Sequence, residues 1–467
     1  MNNETLQRAL AFVASWLRIR YEGIDVPGFQ VVVAHEGRIL LNEAYGFADL
    51  ERQTPLRTDH LFRIASHSKT FTATAIMQLQ EEGRLRIEDP AVGYLPWLAG
   101  HRDHRWTEVT IRHLLSHGAS VIRDGLDANF WQLLRPFPDA DRFREEILGV
   151  DLVADVNVRL KYSNYGYTLL GRIVEAVAGV SYNDFVQERI IRPLGLSDTY
   201  PEYRPGHDGL EAERVVTGYS RKMGGRRIPI APIDTRAMSP ATGFCSTASD
   251  LARYFTAHMV GSGQLLSNAS KREMQKVQWH AVQPGAEQDA GDYGLGLMLN
   301  RVGKRATFGH GGGFPGHITN SKADPAGQLV VVVATTSLDG PAGQIVNSIY
   351  KICDYFAENA PDAAAPDFSD VEGVYEQLWS ASALVAAGGG LHLVAPDQWE
   401  PFQSVEKLEY VAPDMFRIIE ADSYGSLGEL VRVVRSEGEV ESITFAGGTA
   451  WPRAEWHRRL QDMERIG

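Results

Sequence analysis

Apolar positions follow two rhythms along this chain: short alternating or continuous runs that predict strands, and a repeat every three to four residues that predicts helices. Residues 4–22 carry the helical repeat. Phe29–Ala34 and Ile39–Tyr45 read as two strands joined at His35-Glu36-Gly37-Arg38, a hairpin. Within Ser66–Leu79 the positions Phe71, Ala75 and Leu79 recur every fourth residue. Gly83 follows as a C-terminal cap, so a helix with Ser66 in its first turn is predicted. Residues 84–160 are rich in Pro, Gly, Trp and charge, with short helical pieces such as Ile111–Ser116. After Tyr165 a second helix presents Leu170, Ile173, Val174 and Val177 on one face and closes at Gly179. Tyr182–Ile191 predicts another, ended before Pro193; 201–240 is loop-like; Asp250–Met259 is helical behind an N-cap at Ser249. Ile318–Lys322 and Gln328–Thr336 pair as strands around the turn Asp324-Pro325-Ala326-Gly327. Val330–Val333 is continuously apolar, as in a strand covered on both faces, and Gly343–Phe356 is a helix.

Hairpin strands and a helix thus stand at both ends of residues 1–357, with helical material between. The expected fold class is α+β: an antiparallel sheet assembled from both ends, flanked by helices, with a helical subdomain beside it. Residues 358–367, rich in Ala, Pro and Asp, are the expected linker. In 368–467 the texture changes to short strands: Val371–Leu378, Leu391–Val394, Phe416–Glu420, Leu430–Val434 and Ser442–Phe445. These predict a small all-β barrel domain with Trp379, Trp399 and Trp451 in its core.

Composition narrows the function. The 467 residues call for two or three domains, and a net charge of −13 argues against nucleic acid or an anionic membrane surface as partner. Two cysteines, Cys245 and Cys353, form no CxxC pattern, so neither a disulfide framework nor a zinc ribbon is suggested. No run is long enough to span a bilayer, and the amphipathic N-terminus lacks a basic start and a small-residue cleavage site. A cytoplasmic location is the expectation.

The candidate chemistry lies at the start of the Ser66 helix. Positions i and i+3 share a helix face, so Ser66 and Lys69 stand side by side where backbone N–H groups are unpaired. A hydroxyl, an amine whose pKa falls on desolvation, and open N–H groups are the three parts of an acyl-transfer site. On its own this spacing also fits capping and solubility, as Tyr162-Ser163-Asn164 fits a cap and Gly311–Gly316 a turn. Three pieces in order are more specific: Ser66-x-x-Lys69, Tyr162-x-Asn164 and His310-Gly311-Gly312.

That series resembles the serine β-lactamase and penicillin-binding-protein superfamily, in particular its class C-like branch with esterases and D-aminopeptidases of the S12 peptidase type. The resemblance spans about residues 20–356 and includes Gly83–Pro90, Ile111–His117, Arg192–Leu196 and Ser246–Ala252. The tail is similar to lipocalin-like barrels appended to some of these enzymes. The resemblance implies Ser66 as acylated nucleophile, Lys69 as proton acceptor, and Tyr162 as a second base that returns a proton to the leaving group. It implies Asn164 as orienter of Lys69 and of the substrate amide, His310, Gly311 and Gly312 as substrate-binding, and the N–H groups of Ser66 and Gly313 as oxyanion hole. Many β-lactam-binding relatives carry lysine where His310 stands. A histidine, mostly neutral near pH 7, favours neutral esters, amides or substrates anchored by an amine.

Other patterns fall away. Gly311-x-Gly313-x-x-Gly316 contains Pro315 and leads into a strand, unlike a dinucleotide fingerprint. His113 and His117 have zinc-pair spacing without the HExxH glutamate and read as packing or capping residues. There is no Gly-x-Ser-x-Gly. The expected activity is hydrolysis of an ester, amide or short peptide bond through an acyl-enzyme on Ser66, with no cofactor and no metal. A β-lactamase or penicillin-binding enzyme, or a ligand-binding protein with an inactive cleft, are the rivals.

Overall fold

The apolar runs from opposite ends of the sequence meet as neighbours. In the computed structural model, which describes residues 2–207, 209–280, 291–360, 366–421 and 426–464, β1 (Gly28–His35) and β8 (Leu329–Thr335) pair antiparallel, with Val31 opposite Val333. They lie inside an eight-stranded sheet whose other members are β2 (Arg38–Asp49), β3 (Thr54–Pro55), β4 (Asp292–Tyr293), β5 (Met298–Val302), β6 (Arg305–Phe314) and β7 (His317–Asp324). Its order is β3-β2-β1-β8-β7-β6-β5-β4, antiparallel at the strand pairs on both sides of that pair, as the hydrophobic pattern requires. β8 is buried along its whole length, which is why Val330–Val333 shows no polar alternation.

The helix predicted around Ser66 is α2 (Ser68–Glu81), ended by Gly83 at φ +68°. It is buried on every side from Ser68 to Leu79 rather than along one stripe, so its apolar face alone understates its position. The threonines that break its periodicity are satisfied internally: Thr70 Oγ1 donates to His67 O at 2.8 Å and Thr74 Oγ1 to Thr70 O at 2.9 Å. α3 (Ile111–Leu115) packs on α4 (Asn164–Ala178), which lies beside α2, and α5 (Ala248–Ala257) lies on the β1–β8 region of the sheet. The cap of α5 differs from expectation. Thr247, not Ser249, accepts the Asp250 N–H, because only Thr247 has the extended backbone from which a side chain reaches the third residue on. The single helix expected over Tyr182–Ile191 is an α-turn, Tyr182–Val186, that loosens into a π-turn at Gln187–Ile191.

The chain divides into two compact units, Val26–Val346 and Met1–Asp25 with Asn347–Gly467. The first helix, α1 (Asn3–Gly23), expected with the N-terminal domain, belongs to the second unit. There Trp16 Nε1 donates to Gln398 O at 2.9 Å, and Arg8 donates to Glu372 at 2.8 Å. Helix α6 (Ala342–Glu358) runs one residue past the expected boundary, and residues 361–365 of the linker expected over 358–367 lie outside the described residues.

The tail is a closed eight-stranded barrel built by β9 (Gly373–Glu376), β10 (Ala381–Ala387), β11 (Gly390–Val394), β12 (Glu406–Ala412), β13 (Met415–Glu420), β14 (Leu430–Ser436), β15 (Glu439–Phe445) and β16 (Gly448–Pro452). Leu384, Leu391, Phe416, Ile418, Val431 and Ile443 form its core. The sequence pattern misses β10, which is alanine-rich, β12, and the final helix α7 (Arg453–Glu464), which has few apolar residues.

The three tryptophans are not barrel core. Trp379 is 88% exposed at the β9–β10 turn. Trp399 stacks under the Arg20 guanidinium at 4.1 Å, and Trp451 packs on Trp456 at 5.8 Å. Ala450 takes the inward position, so strand alternation turns Trp451 outward. Trp379→Ser is therefore expected to change unfolding free energy by less than about 0.5 kcal/mol in a denaturant titration. Among the described residues no helix is long and apolar enough to cross a membrane.

Candidate active site

Ser66 sits where β-structure gives way to α2. Ala65 holds φ +49°, a left-handed conformation that costs an alanine energy, and a 3₁₀ turn over Ala65–His67 leads into the helix. The strain is held by its surroundings. Ser68 Oγ donates to Ala65 O at 2.6 Å and accepts the Phe244 N–H at 3.1 Å, while Ile64 N–H donates to Phe244 O at 3.0 Å. The buried His67 ring lies 3.1 Å from Ile64 O and 2.9 Å from Ser321 Oγ on β7, and burial pushes its pKa down to about 4. Behind the turn, Arg63 and Glu202 form an ion pair at 3.1 Å with almost no solvent exposure, and the guanidinium also lies 4.5 Å over Phe314.

The structure brings the predicted residues together around Ser66, which is half-buried. Lys69 is fully buried; its Nζ lies 3.1 Å from Ser66 Oγ and donates to the Ala241 carbonyl at 2.7 Å. Burial drives its pKa well below the usual 10.5, with the Asp124 charge opposing and the Arg123 charge assisting. The Tyr162 hydroxyl is hydrogen-bonded to Ser66, its ring lies 4.9 Å from Lys69 Nζ, and burial raises its pKa. At neutral pH the amine is thus the easier of the two to hold as a base, and the phenol keeps its proton.

Asn164 departs from its expected place. Its Nδ2 donates to Asp124 Oδ1 at 2.7 Å and its Oδ1 is buried without a partner; the hydrogen bond that fixes Lys69 comes from the Ala241 carbonyl instead. The capping function that Tyr162-Ser163-Asn164 could serve falls to Ser163, whose Oγ accepts the Gly166 N–H at 2.8 Å. That leaves the side-chain amide oxygen of Asn164 as an unused acceptor.

His310 is buried, with Nδ1 2.6 Å from Gly311 O and Nε2 3.2 Å from the Tyr293 hydroxyl. A carbonyl only accepts, so Nδ1 carries the proton. Burial, with the nearby His67 and Lys69, pushes the pKa well down, and the ring is neutral. In the β6–β7 pairing Gly311 faces Asn320, Gly312 faces Thr319 and Gly313 faces Ile318. Only Gly312 is sterically required: a Cβ there would come within 2.3 Å of Ile64 O, so its bare backbone lets β6 close on the Ser66 turn.

Sequence reasoning missed Asp124, Ala241, Tyr293 and the Arg63–Glu202 pair. His113 and His117 are not a metal pair. His113 completes a capping box with Thr110, and His117 accepts the Ser163 N–H at 3.1 Å with its ring 4.2 Å from that of Tyr162. Among the described residues no group of three or more His, Cys, Asp or Glu is placed to hold a metal ion.

Residues 13–351 match the family model described as Beta-lactamase. The chain belongs to the beta-lactamase family. Within this family of serine hydrolases it is 30% identical over 309 residues to penicillin-binding protein 4* of Bacillus subtilis (strain 168), spanning 62% of this chain and 63% of that one. The chain thus covers less than two thirds of the length of that relative. The crystal structure of SurE matches at 25% identity with a TM-score of 0.60, over 95% of this chain and 99% of that one. The D-stereospecific amidohydrolase from Streptomyces sp. shares the fold, with a TM-score of 0.60 at 23% identity over 74% of this chain and 97% of its own.

Proposed function

We propose that this protein hydrolyses small amides or esters through an acyl-enzyme on Ser66. The observation that carries this reading is the fully buried Lys69 amine 3.1 Å from Ser66 Oγ. Neutral Lys69 takes the hydroxyl proton as Oγ bonds to the substrate carbonyl carbon. The oxyanion forms against the N–H groups of Ser66 and Gly313. Tyr162, bonded to Ser66 and close to Lys69, relays a proton to the departing amine or alkoxide as the C–N or C–O bond breaks. Water then attacks the ester, its proton following the reverse route, and releases the carboxylic acid. The Asn164 Oδ1 left without a partner suits a substrate N–H, which favours amides. The name of the D-stereospecific amidohydrolase makes amides of D configuration the first to try. The neutral His310 supplies no fixed charge for a β-lactam carboxylate, so lactamase activity ranks below amide and ester hydrolysis.

The test is intact-mass spectrometry after incubation with a fluorophosphonate probe. One adduct is expected on the wild type and none on Ser66→Ala. A folded wild type that takes no adduct, or hydrolysis of nitrocefin in preference to every amide and ester, would overturn the reading.

A further inference from the structure

A cavity of about 470 Å³ is walled by α4, the turn at Ser181–Asn183 and the segment that ends at Pro240, and no proposed catalytic residue lines it. Three arginines do: Arg172, Arg204 and Arg236. Three carboxylates line it too, and each is already engaged. Glu175 holds Arg172 Nη1 at 2.8 Å and accepts the Tyr182 N–H at 3.1 Å. Asp139 accepts the Arg142 N–H at 2.9 Å, and Asp234 accepts the Arg236 N–H at 2.6 Å. The donors are not matched in the same way. Among the described residues the guanidinium groups of Arg204 and Arg236 make no hydrogen bond or ion pair, and both side chains are exposed. Arg172 Nε is buried without a partner, and a buried donor left unmatched costs free energy until something accepts from it. The unused capacity of this cavity is therefore guanidinium N–H, the donor that suits phosphate and carboxylate oxygens.

The wall that carries Arg236 also carries the anchor of Lys69. Arg236–Met238 is a 3₁₀ turn that runs directly into the short helix Ser239–Thr242. In that helix the Ala241 carbonyl accepts from Lys69 Nζ at 2.7 Å, and the Pro240 carbonyl accepts from Thr72 Oγ1 at 2.6 Å. Arg236 opens the segment at φ +52°, a left-handed conformation that costs an arginine energy. Ser239 Oγ lies 2.8 Å from both Asn183 Oδ1 and Pro201 O. α4 closes on the same place: a Cβ on Gly171 would meet the Pro240 ring at 2.1 Å, and Arg172 is the next residue. A ligand that ties Arg236 to Arg172 therefore clamps the segment from which the Lys69 amine hangs.

We infer that this cavity binds a compact, multiply charged oxyanion, a phosphate compound or a dicarboxylate, and that its occupancy firms the Ala241 anchor and speeds acylation of Ser66. Arg204 and Arg236 meet the charge from the solvent side, and Arg172 Nε meets an oxygen at the wall. The effect on acylation rests on the acyl-enzyme reading with Lys69 as base; the binding does not.

The experiment titrates the full chain calorimetrically with inorganic pyrophosphate and with succinate, which separates the two kinds of anion, at constant ionic strength set by potassium chloride. At least one is expected to bind with a Kd of about 1 mM or tighter. Arg204→Gln and Arg236→Gln replace exposed side chains, so neither change threatens folding, and each should weaken that binding by about tenfold or more. Arg301→Gln, exposed and outside the cavity, and Ser66→Ala should bind as the wild type does. Saturating anion should raise the fluorophosphonate labelling rate of Ser66 by about fivefold or more, and Arg236→Gln should abolish that rise while keeping the rate seen without anion. No binding of either anion, binding that survives both arginine changes, or a labelling rate that saturating anion does not move would overturn the inference. A wild type that takes no probe with or without anion would overturn the hydrolase reading and the effect on acylation with it, while the titration still decides the site.

Discussion

Lys69→Met is expected to slow fluorophosphonate labelling of Ser66 by about 10³-fold. Lys69 is the buried amine within 3.1 Å of Ser66 Oγ, and methionine fills a similar volume without a proton acceptor. The pH dependence carries the same signature. Burial lowers the folded pKa of Lys69 well below 10.5, so labelling should climb as pH rises through that lowered value and level off above it. The climb should vanish in the variant. The sign for stability follows from the same shift. In the window between the folded pKa and 10.5 the unfolded chain binds a proton that the folded chain does not, so stability rises with pH across it and is reduced below it. Burying this lysine is thus a cost at neutral pH, and Lys69→Met should raise the thermal midpoint while labelling falls. Labelling rates between about pH 6 and 10 and a melting curve read both effects. A variant that labels at the wild-type rate would remove Lys69 from the role of base.

The second large effect is expected at Gly312. Its added Cβ would meet Ile64 O and Thr319 Oγ1, both at 2.3 Å, and a backbone carbonyl cannot step aside. Gly312→Ala should therefore push β6 away from the Ser66 turn and spread the N–H groups of Ser66 and Gly313 apart. A loss of about 10²-fold in labelling rate is expected, with a loss of about 1–3 kcal/mol in unfolding free energy. Gly311→Ala is the comparison. Its Cβ would find Asn320 Nδ2 at 3.6 Å, ordinary contact, and stability should change by no more than about 0.5 kcal/mol. Equal destabilisation by the two changes in a denaturant titration would show that the close approach is not what requires glycine.

Much of the fold was legible because its information is local. The hairpin at Glu36-Gly37, the helix closed by Gly83, the helix closed by Gly179 and the strands around Asp324–Gly327 each follow from periodicity plus a turn or cap. Thr247 could have been read as well: it stands three residues before Asp250, the spacing of a capping box, whereas Ser249 has alanine at that distance. In the barrel, alanine-rich β10 and the unread β12 form strands because neighbours on both sides supply hydrogen bonds that close the circle, and local propensity yields to that pairing. The tryptophans were misread because large apolar residues were assigned inward without the strand parity that puts Ala450 inside and Trp451 out.

By itself the sequence determined the order of the candidate chemistry, Ser66-x-x-Lys69, Tyr162-x-Asn164 and His310-Gly311-Gly312, because side-chain identity and spacing are written in the chain. Tertiary structure alone decided what those groups can do. The drop in the pKa of Lys69 comes from burial by distant segments, and its anchor is the backbone carbonyl of Ala241, which no side chain announces. Asn164 is turned to Asp124 and His310 to Tyr293 by packing across 40 and 17 residues of chain. The Arg63–Glu202 pair that backs the Ser66 turn, and the one glycine of three that the turn cannot do without, arise where strands and helices remote in sequence come within van der Waals distance. Spacing fixes which groups are available; their charge, tautomer and reach depend on the dielectric and contacts that only the packed chain supplies.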